Sequence, residues 1–309
     1  MKDYDVVIIG AGPAGLAAGV YCARKILKAL VVSRDVGGQA AWSWEVENYL
    51  GYQLISGAEL VKRFYQHIQA FDVELREKEE IASLETGENA FTVLSDKGEY
   101  RSSAVIVASG KVPRLLDVPG EKEFRGRGVA YCATCDGPLF ARKDVAVVGS
   151  GNAGLDAALQ LSRIANHIYL INVEQKCTGD EATRQQVLSA ENIEVMQRTG
   201  VVEIGGEAFV KSLRVEDLDG GAARELPVSG VFIEIGSIPS TGFLEGKVKL
   251  NESGEVIIDS NNRTSVPGLL AAGDVTDVIE KQIIIAAGEG AKAALSAYAY
   301  LQRGRTPAL

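Results

Sequence analysis

The chain has 309 residues, of which 46% are hydrophobic and 24% are charged, and its formal net charge is −9. This balance is typical of a globular protein and excludes disordered and fibrous chains, and the length predicts two domains. An acidic chain without a basic block offers no electrostatic surface to nucleic acid or to an anionic membrane. Four cysteines and two histidines exclude repeated metal fingers and a cysteine-rich secreted scaffold, so we expect no metal site.

The N-terminal segment predicts a strand, a tight turn and a helix. The apolar run at residues 5–9 is typical of a parallel strand buried on both faces. It is followed by Gly10-Ala-Gly-Pro-Ala-Gly15, by an alanine-rich stretch without helix breakers at 16–24, and by a second apolar run at 29–32. No apolar run reaches the roughly 20 residues of a membrane span, and glycines interrupt the first one. We therefore expect neither a signal peptide nor a membrane helix, and a cytoplasmic location.

The middle of the chain repeats this arrangement. Residues 144–148 predict a strand, Gly149-Ser-Gly-Asn-Ala-Gly154 a turn, 155–164 a helix and 167–171 a second strand. In such turns the first glycine allows the tight bend, the second lets the backbone approach a pyrophosphate, and the third lets the helix pack on the strand. The pyrophosphate then lies at the helix N-terminus, where free N–H groups favour anions. Two copies in this context predict an α/β protein that binds two dinucleotides.

The acid that would bind each adenosine ribose is less clearly marked. The second strand of each copy ends at a neutral residue, Ser33 in the first and Asn172 in the second. Carboxylates follow two residues later, Asp35 and Glu174, at about the 20-residue distance that ribose-binding acids have from the turn. These acids bind ribose, or they are solvated loop residues.

The second copy also predicts which nucleotide it binds. A 2′-phosphate normally needs a cation at the end of the second strand. Between Asn172 and Asp180 the sequence has no arginine, and Lys176 is the cation there. The sequence therefore favours NADH over NADPH.

A cysteine pair precedes the second copy, in Tyr131-Cys132-Ala-Thr-Cys135-Asp136. A zinc site would need a second pair, and a structural disulfide is unusual in a cytosolic chain. The spacing therefore favours a redox-active dithiol. The neighbouring Asp136 would exchange protons with the thiols or, alternatively, cap a helix.

The remaining residues of possible chemical interest have structural explanations. Cys22 lies in the first helix and is expected to be a small core residue, and Cys177 is expected to be a surface thiol without a role. His67 and His167 are expected to be structural. The tryptophans at positions 42 and 44 would pack over a planar ring or in the core or surface.

With these motifs in order, the chain resembles the low-molecular-weight thioredoxin reductase family over nearly its whole length. The motifs that carry the resemblance are Gly10-Ala-Gly-Pro-Ala-Gly15, Gly37-Gly38-Gln39, Glu45-Val-Glu-Asn48-Tyr, Val107-Ala-Ser-Gly110, Cys132-x-x-Cys135-Asp136, Gly149-x-Gly-Asn-x-Gly154 and Ala272-Gly-Asp274. Within that family, residues 135–140 and 281–292 most resemble the reductase core of the alkyl hydroperoxide reductase flavoprotein subunit.

The resemblance implies two Rossmann-like domains of the three-layer ββα type, with the NAD domain inserted into the FAD domain. The FAD domain would comprise 1–112 and 245–309, and the insert 113–244. Hinges near Pro113 and Gly242 would let the insert swing between two orientations. The resemblance also implies a homodimer and, as electron acceptor, a thioredoxin- or glutaredoxin-like protein.

The site residues follow from the same motifs. Cys135 would face the flavin and Cys132 would attack the partner disulfide. The residues assigned to FAD are Gly10, Gly12, Pro13, Ala14, Gly15, Asp35, Gly38, Gln39, Asn48, Ser109, Gly110, Gly273, Asp274, Gln282 and Ile283. The residues assigned to NAD are Gly149, Gly151, Asn152, Ala153, Gly154, Asn172 and Glu174.

Three departures from the family pattern bear on function. The usual Ala-Thr-Gly triplet has Ser109 at its centre, and Asn172-Val173-Glu174 replaces the basic motif that reads a 2′-phosphate. The chain starts at the first strand, without the thioredoxin-like extension of the peroxide-reductase flavoprotein, so its dithiol would need a separate acceptor. Three alternatives stay open: a donor such as ferredoxin, a flavoprotein that only senses redox state, and a dinucleotide-binding protein with structural cysteines.

Overall fold

The computed structural model describes residues 2–87 and 90–305. Its strands are β1 (Lys2–Ala11), β2 (Ala29–Val36), β3 (Glu74–Glu77), β4 (Ile81–Thr86), β5 (Phe91–Ser95), β6 (Glu99–Val107), β7 (Lys111–Pro113), β8 (Val129–Ala130), β9 (Asp144–Val148), β10 (His167–Ile171), β11 (Ile193–Met196), β12 (Thr199–Gly206), β13 (Val210–Asp217), β14 (Arg224–Pro227), β15 (Gly230–Ile233), β16 (Ser237–Pro239) and β17 (Leu269–Ala271). Its α-helices are α1 (Pro13–Arg24), α2 (Gly57–Gln69), α3 (Ala133–Asp136), α4 (Asn152–Ser162), α5 (Glu181–Ser189) and α6 (Ile283–Arg305).

The chain divides into two compact units. Unit 1 comprises Met1–Trp42, Tyr49–Val112 and Ile238–Leu309, and unit 2 comprises Ser43–Asn48 and Pro113–Ser237. The longer segment of unit 2 thus interrupts unit 1 in sequence. The two crossings pair with each other as the short strands β7 and β16.

Unit 1 is built on a sheet with the strand order β3-β2-β1-β6-β5-β4, and β17 pairs with the end of β6. The strands β3, β2, β1, β6 and β17 are parallel, whereas β5 and β4 extend the sheet antiparallel. Along β1, Val6 and Ile8 pack with α1 and α6, and Val7 and Ile9 pack into the opposite layer. This burial on both faces explains the uninterrupted apolar run in the sequence.

The helices α1 and α6 lie close together because of a glycine. A Cβ built on Gly290 of α6 would lie 1.9 Å from the carbonyl oxygen of Ala14 in the first turn of α1. No side chain fits at this distance, so Gly290 permits the backbone approach.

Unit 2 contains a parallel sheet with the strand order β11-β10-β9-β15-β8 and an antiparallel sheet of β12, β13 and β14. The helix α4 packs on one face of the parallel sheet through Leu155 and Leu161, and the antiparallel sheet covers the other through Leu213 and Val215. The α/β class with parallel sheets and two strand–turn–helix repeats is confirmed. Within the described ranges 2–87 and 90–305, no helix has both the length and the apolar character that a membrane crossing requires.

Candidate active site

The first glycine turn, Gly10–Gly15, connects β1 to α1. Gly10 has a φ of +107°, and a Cβ there would lie 2.3 Å from the Ala108 carbonyl oxygen. A Cβ on Gly15 would lie 1.8 Å from the Gly10 carbonyl oxygen. Only glycine fits at either position, because both contacts are with backbone.

This turn leaves an anion site at the start of α1. Gly12 caps the helix without a side-chain hydrogen bond, and the space that a Cβ on Gly12 would enter is open. Gly12 therefore offers the first N–H groups of the helix no side-chain acceptor, and a pyrophosphate is the group that such a cradle accommodates. The residues of this turn, which include Pro13 and Ala14, thus fit a dinucleotide.

The end of β2 lies beside the first turn. The Ser33 hydroxyl accepts a hydrogen bond from the Ala11 N–H at 3.1 Å and donates one to the Asp35 carbonyl oxygen at 2.5 Å. The exposed Asp35 carboxylate lies 3.6 Å from the Arg34 guanidinium. Ser33 therefore ties the glycine turn to the strand end that carries Asp35.

The other residues assigned to FAD lie mostly at the carboxyl ends of the strands of unit 1, the edge at which open α/β sheets bind ligands. The Gln39 side-chain amide donates to the Lys111 carbonyl oxygen at 2.8 Å, and the Ser109 hydroxyl donates to the Ser240 carbonyl oxygen at 2.8 Å. Gly38, Gly110, Gly273, Gln282 and Ile283 also belong to unit 1. Asn48 does not: it is exposed and belongs to unit 2.

Asp274 follows β17 and lies among charged residues. Burial raises the pKa of its carboxyl, while the nearby Lys111 and Lys281 act to lower that pKa. Lys281 is largely buried and forms an ion pair with Glu255 at 3.0 Å. Glu289 accepts a hydrogen bond from the Gly273 N–H at 3.1 Å. No role was predicted for Lys111, Lys281, Glu255 or Glu289, although Lys281 and Glu289 lie within the family-like segment 281–292.

The second glycine turn, Gly149–Gly154, connects β9 to α4 and repeats the geometry of the first. Gly149 has a φ of +116°, and a Cβ there would lie 2.4 Å from the Glu234 carbonyl oxygen. A Cβ on Gly154 would lie 2.0 Å from the Gly149 carbonyl oxygen. Gly151 caps α4 without a side-chain hydrogen bond, so the helix N-terminus, with Asn152 and Ala153 in its first turn, again fits a pyrophosphate.

Asn172 follows β10, and its side chain forms hydrogen bonds with Ser150 of the glycine turn and with Glu174 of its own loop. Its Oδ1 accepts hydrogen bonds from the Ser150 hydroxyl at 2.8 Å and from the Glu174 N–H at 3.0 Å. Its Nδ2 donates to the Glu174 carbonyl oxygen at 3.0 Å. Asn172 is buried and Glu174 is exposed. Asn172 therefore positions the loop, and Glu174 presents a carboxylate to solvent at the strand end.

The cysteine pair is joined in the structure. Cys132 and Cys135 form a disulfide with their Cα atoms 5.3 Å apart. Cys132 caps the short helix α3, and its Sγ accepts a hydrogen bond from the Cys135 N–H at 3.2 Å. A thiolate formed on Cys132 would keep this donor, which favours its charged form.

Asp136 follows the pair directly and is half-buried. Burial raises the pKa of its carboxyl to about 6. It lines a cavity of about 340 Å³ in unit 2, together with Leu139, Phe140 and Phe209. A carboxyl with this pKa exchanges protons readily near neutral pH. Its own side chain caps neither α3 nor the 3-10 helix Gly137–Phe140 that follows.

The other two cysteines are free and buried. Burial raises the pKa of Cys22 to about 12, which fits the expected core residue. The expectation for Cys177 was wrong: it is a buried residue of the core of unit 2, where it packs with Leu155 and Val187, and not a surface thiol. The thiol is buried because side chains of α4 and α5 pack against it, although its loop follows a strand.

Both histidines and Trp44 lie in ordinary packing contacts. His67 lies against Phe71, and His167 contacts Tyr169 edge to face, with its Nε2 3.6 Å from the Glu194 carboxylate. Trp44 contacts Phe209 edge to face, with ring centroids 5.6 Å apart.

Comparison with known proteins gives one consistent result. Residues 4–290 match the pyridine nucleotide-disulphide oxidoreductase family. The chain is 40% identical over 303 residues to the F subunit of alkyl hydroperoxide reductase from Staphylococcus aureus, covering 98% of this chain and 60% of that protein. It is 39% identical to a protein named NADH dehydrogenase of Bacillus subtilis, covering 98% of this chain and 59% of that protein. The chain thus spans about 60% of the length of these curated relatives.

Solved structures agree in fold. Thioredoxin reductase from Streptococcus pyogenes superimposes with a TM-score of 0.94 at 33% identity, and the match covers 98% of this chain and 99% of that one. Thioredoxin reductase from Giardia duodenalis gives a TM-score of 0.92 at 31% identity, with 98% and 100% covered.

Proposed function

Because the chain belongs to the pyridine nucleotide-disulphide oxidoreductase family, we propose that it carries electrons from NADH through FAD and the Cys132–Cys135 disulfide to the disulfide of a thioredoxin- or glutaredoxin-like protein. In this proposal unit 1 binds FAD and unit 2 binds NADH. The observation that carries it is a disulfide at C-x-x-C spacing in a chain with two glycine turns, each opening a helix without a side-chain cap.

The bound flavin supplies the step from hydride transfer to disulfide reduction. After reduction, the Cys132 thiolate attacks one sulfur of the partner disulfide, forms a mixed disulfide and releases the first partner thiolate. The Cys135 thiolate then attacks the Cys132 sulfur, re-forms the intramolecular disulfide and releases the second thiolate. The N–H of Cys135 supports the first attack by donating to the Cys132 sulfur, and Asp136, with its pKa of about 6, gives and takes the accompanying protons.

NADH is the proposed donor because of the loop after β10. Glu174 is exposed there, where a carboxylate accepts from ribose hydroxyls and repels a 2′-phosphate. The relative from Bacillus subtilis is named NADH dehydrogenase. We propose a homodimer in the cytoplasm, where pyridine nucleotides are available and where Cys22 and Cys177 stay reduced.

The test is anaerobic mixing of the FAD-loaded protein with NADH or NADPH, with the flavin absorbance as readout. NADH should bleach the flavin faster than NADPH. If neither NADH nor NADPH bleaches the flavin but reduced ferredoxin does, ferredoxin is the donor and the proposal of NADH is wrong. The variant Cys135→Ser should still bleach but should lose reduction of a thioredoxin disulfide by at least about 1,000-fold. A protein that bleaches once but never turns over with thioredoxin would be a redox sensor.

A further inference from the structure

Arg198 is outside residues 172–180 in sequence but contacts this loop in the structure. It follows β11, the parallel neighbour of β10, and in the register between these strands Ile171 lies opposite Met196. The Asn172 N–H donates to the Met196 carbonyl oxygen and the Thr199 N–H donates to the Asn172 carbonyl oxygen, both at 2.9 Å. Arg198 therefore lies beside the strand end that would bind the adenosine ribose.

The guanidinium of Arg198 contacts the loop itself. Its Nη1 donates to the Val173 carbonyl oxygen at 3.2 Å, and its backbone N–H donates to the Glu174 carbonyl oxygen at 3.2 Å. An arginine in this place is the group that accommodates a 2′-phosphate in related folds. By position alone, Arg198 would favour NADPH.

A carboxylate offsets this charge. Asp219, in the turn after β13, lies 3.1 Å from both Nε and Nη2 of Arg198 through one oxygen. In the same unit, Arg184 also pairs with a carboxylate, that of Glu181 on α5.

We infer that Asp219 determines the preference for NADH by holding the guanidinium of Arg198 away from a 2′-phosphate. The inference rests on the proposed function, since it assumes that the second glycine turn binds a pyridine nucleotide. Once Asp219 loses its charge, Arg198 keeps its bond to Val173 and becomes free to bind the phosphate through charge-assisted hydrogen bonds.

The experiment compares two adenylates that differ at the 2′ position. Binding of adenosine 2′,5′-bisphosphate and of 5′-AMP to the FAD-loaded protein is measured by calorimetry for the wild type, Asp219→Asn and Asp219→Asn/Arg198→Gln. The control is Glu207→Gln, which removes one negative charge from an exposed ion pair with Lys211 in the same unit. Flavin bleaching by NADH and NADPH is recorded for each protein.

Asp219→Asn should bind the 2′-phosphate compound about tenfold more tightly, with 5′-AMP within about twofold of wild type, because one charge-assisted hydrogen bond is worth roughly that factor. The double variant should return to the wild-type value. No tightening in Asp219→Asn, equal tightening in Glu207→Gln, or tightening that survives loss of Arg198 overturns the inference. If NADH still bleaches the wild-type flavin in those cases, the proposed function stands. If the wild type binds neither adenylate and neither nucleotide bleaches it, both fail.

Discussion

The two glycine turns have nearly the same backbone but different surroundings. Gly10 and Gly149 have φ values of +107° and +116°, and the caps Gly12 and Gly151 both have a φ of −73°. At the neighbouring strand end, the first turn is tied down by a serine hydroxyl and the second by the Asn172 amide. The backbone is therefore the common part of the two turns, and in our proposal the side chains one strand away determine which nucleotide each turn binds.

The strongest test of this comparison is to break each turn separately. Gly15→Ala would place a methyl group 1.8 Å from a carbonyl oxygen, and Gly154→Ala would place one at 2.0 Å. We expect Gly15→Ala to weaken FAD binding by at least about 100-fold, and Gly154→Ala to keep FAD but raise the KM for NADH by a similar factor. Flavin content after purification and NADH titration of the bleaching rate measure the two effects.

The control is Gly288→Ala, because a Cβ at that position of α6 meets no atom within 4 Å. It should retain both flavin and NADH reduction. Loss of flavin from Gly154→Ala would contradict the assignment of one nucleotide to each turn.

A second test concerns Asp136, the carboxyl that follows the disulfide in the unit that carries the second turn. Burial raises its pKa from 3.8 to about 6, so between these values the folded protein holds the proton more tightly than the unfolded chain. Stability therefore falls as the pH rises through this window, and the full cost is present above about pH 6. Relative to Asp136→Asn, the oxidised wild type should lose ~2 kcal/mol of unfolding free energy between pH 4 and pH 7.

Denaturant unfolding at both pH values measures this difference, and Asp156→Asn on the exposed side of α4 is the surface control. A wild type and Asp136→Asn variant with parallel pH profiles would show that the carboxyl is not shifted.

The smallest effects are expected from the side chains at the strand ends. Asn172→Ala removes the hydrogen bonds that hold Glu174, and should raise the KM for NADH about fivefold without changing flavin content. Ser33→Ala should weaken FAD binding about fivefold and leave the KM for NADH unchanged, because the hydrogen bonds of its hydroxyl, to Ala11 and Asp35, lie within unit 1. Crossed effects, measured in the same two assays, would show that the turns are not independent.

The sequence predicted the fold class and the family correctly, and both are confirmed. These predictions succeeded because a glycine turn is a local feature. Its strand, its turn and its helix are formed by consecutive residues, so the sequence motif contains all three. The roles of the individual site residues and the domain boundaries stay predictions.

The features that the sequence did not reveal depend on contacts between distant segments. Arg198 contacts the Asn172 loop because β11 pairs with β10. The ion pair between Glu255 and Lys281 joins two segments that lie on either side of β17 in sequence. Cys177 is buried because α5 packs over its loop. Sheet order and helix packing decide such contacts, and a local pattern contains neither.

The close approach of Gly290 to the first turn of α1 also bears on how the protein is made. Unit 2 is almost continuous in sequence and leaves the ribosome before α6 is translated, whereas unit 1 needs α6 to cover α1. Domains fold as units during synthesis, so the inserted unit can be complete while the surrounding one still awaits its final helix. A nascent chain arrested before Ile283 would therefore carry a folded unit 2 within an incomplete unit 1, and under the proposed assignment of FAD to unit 1 the flavin would bind only at the end of translation.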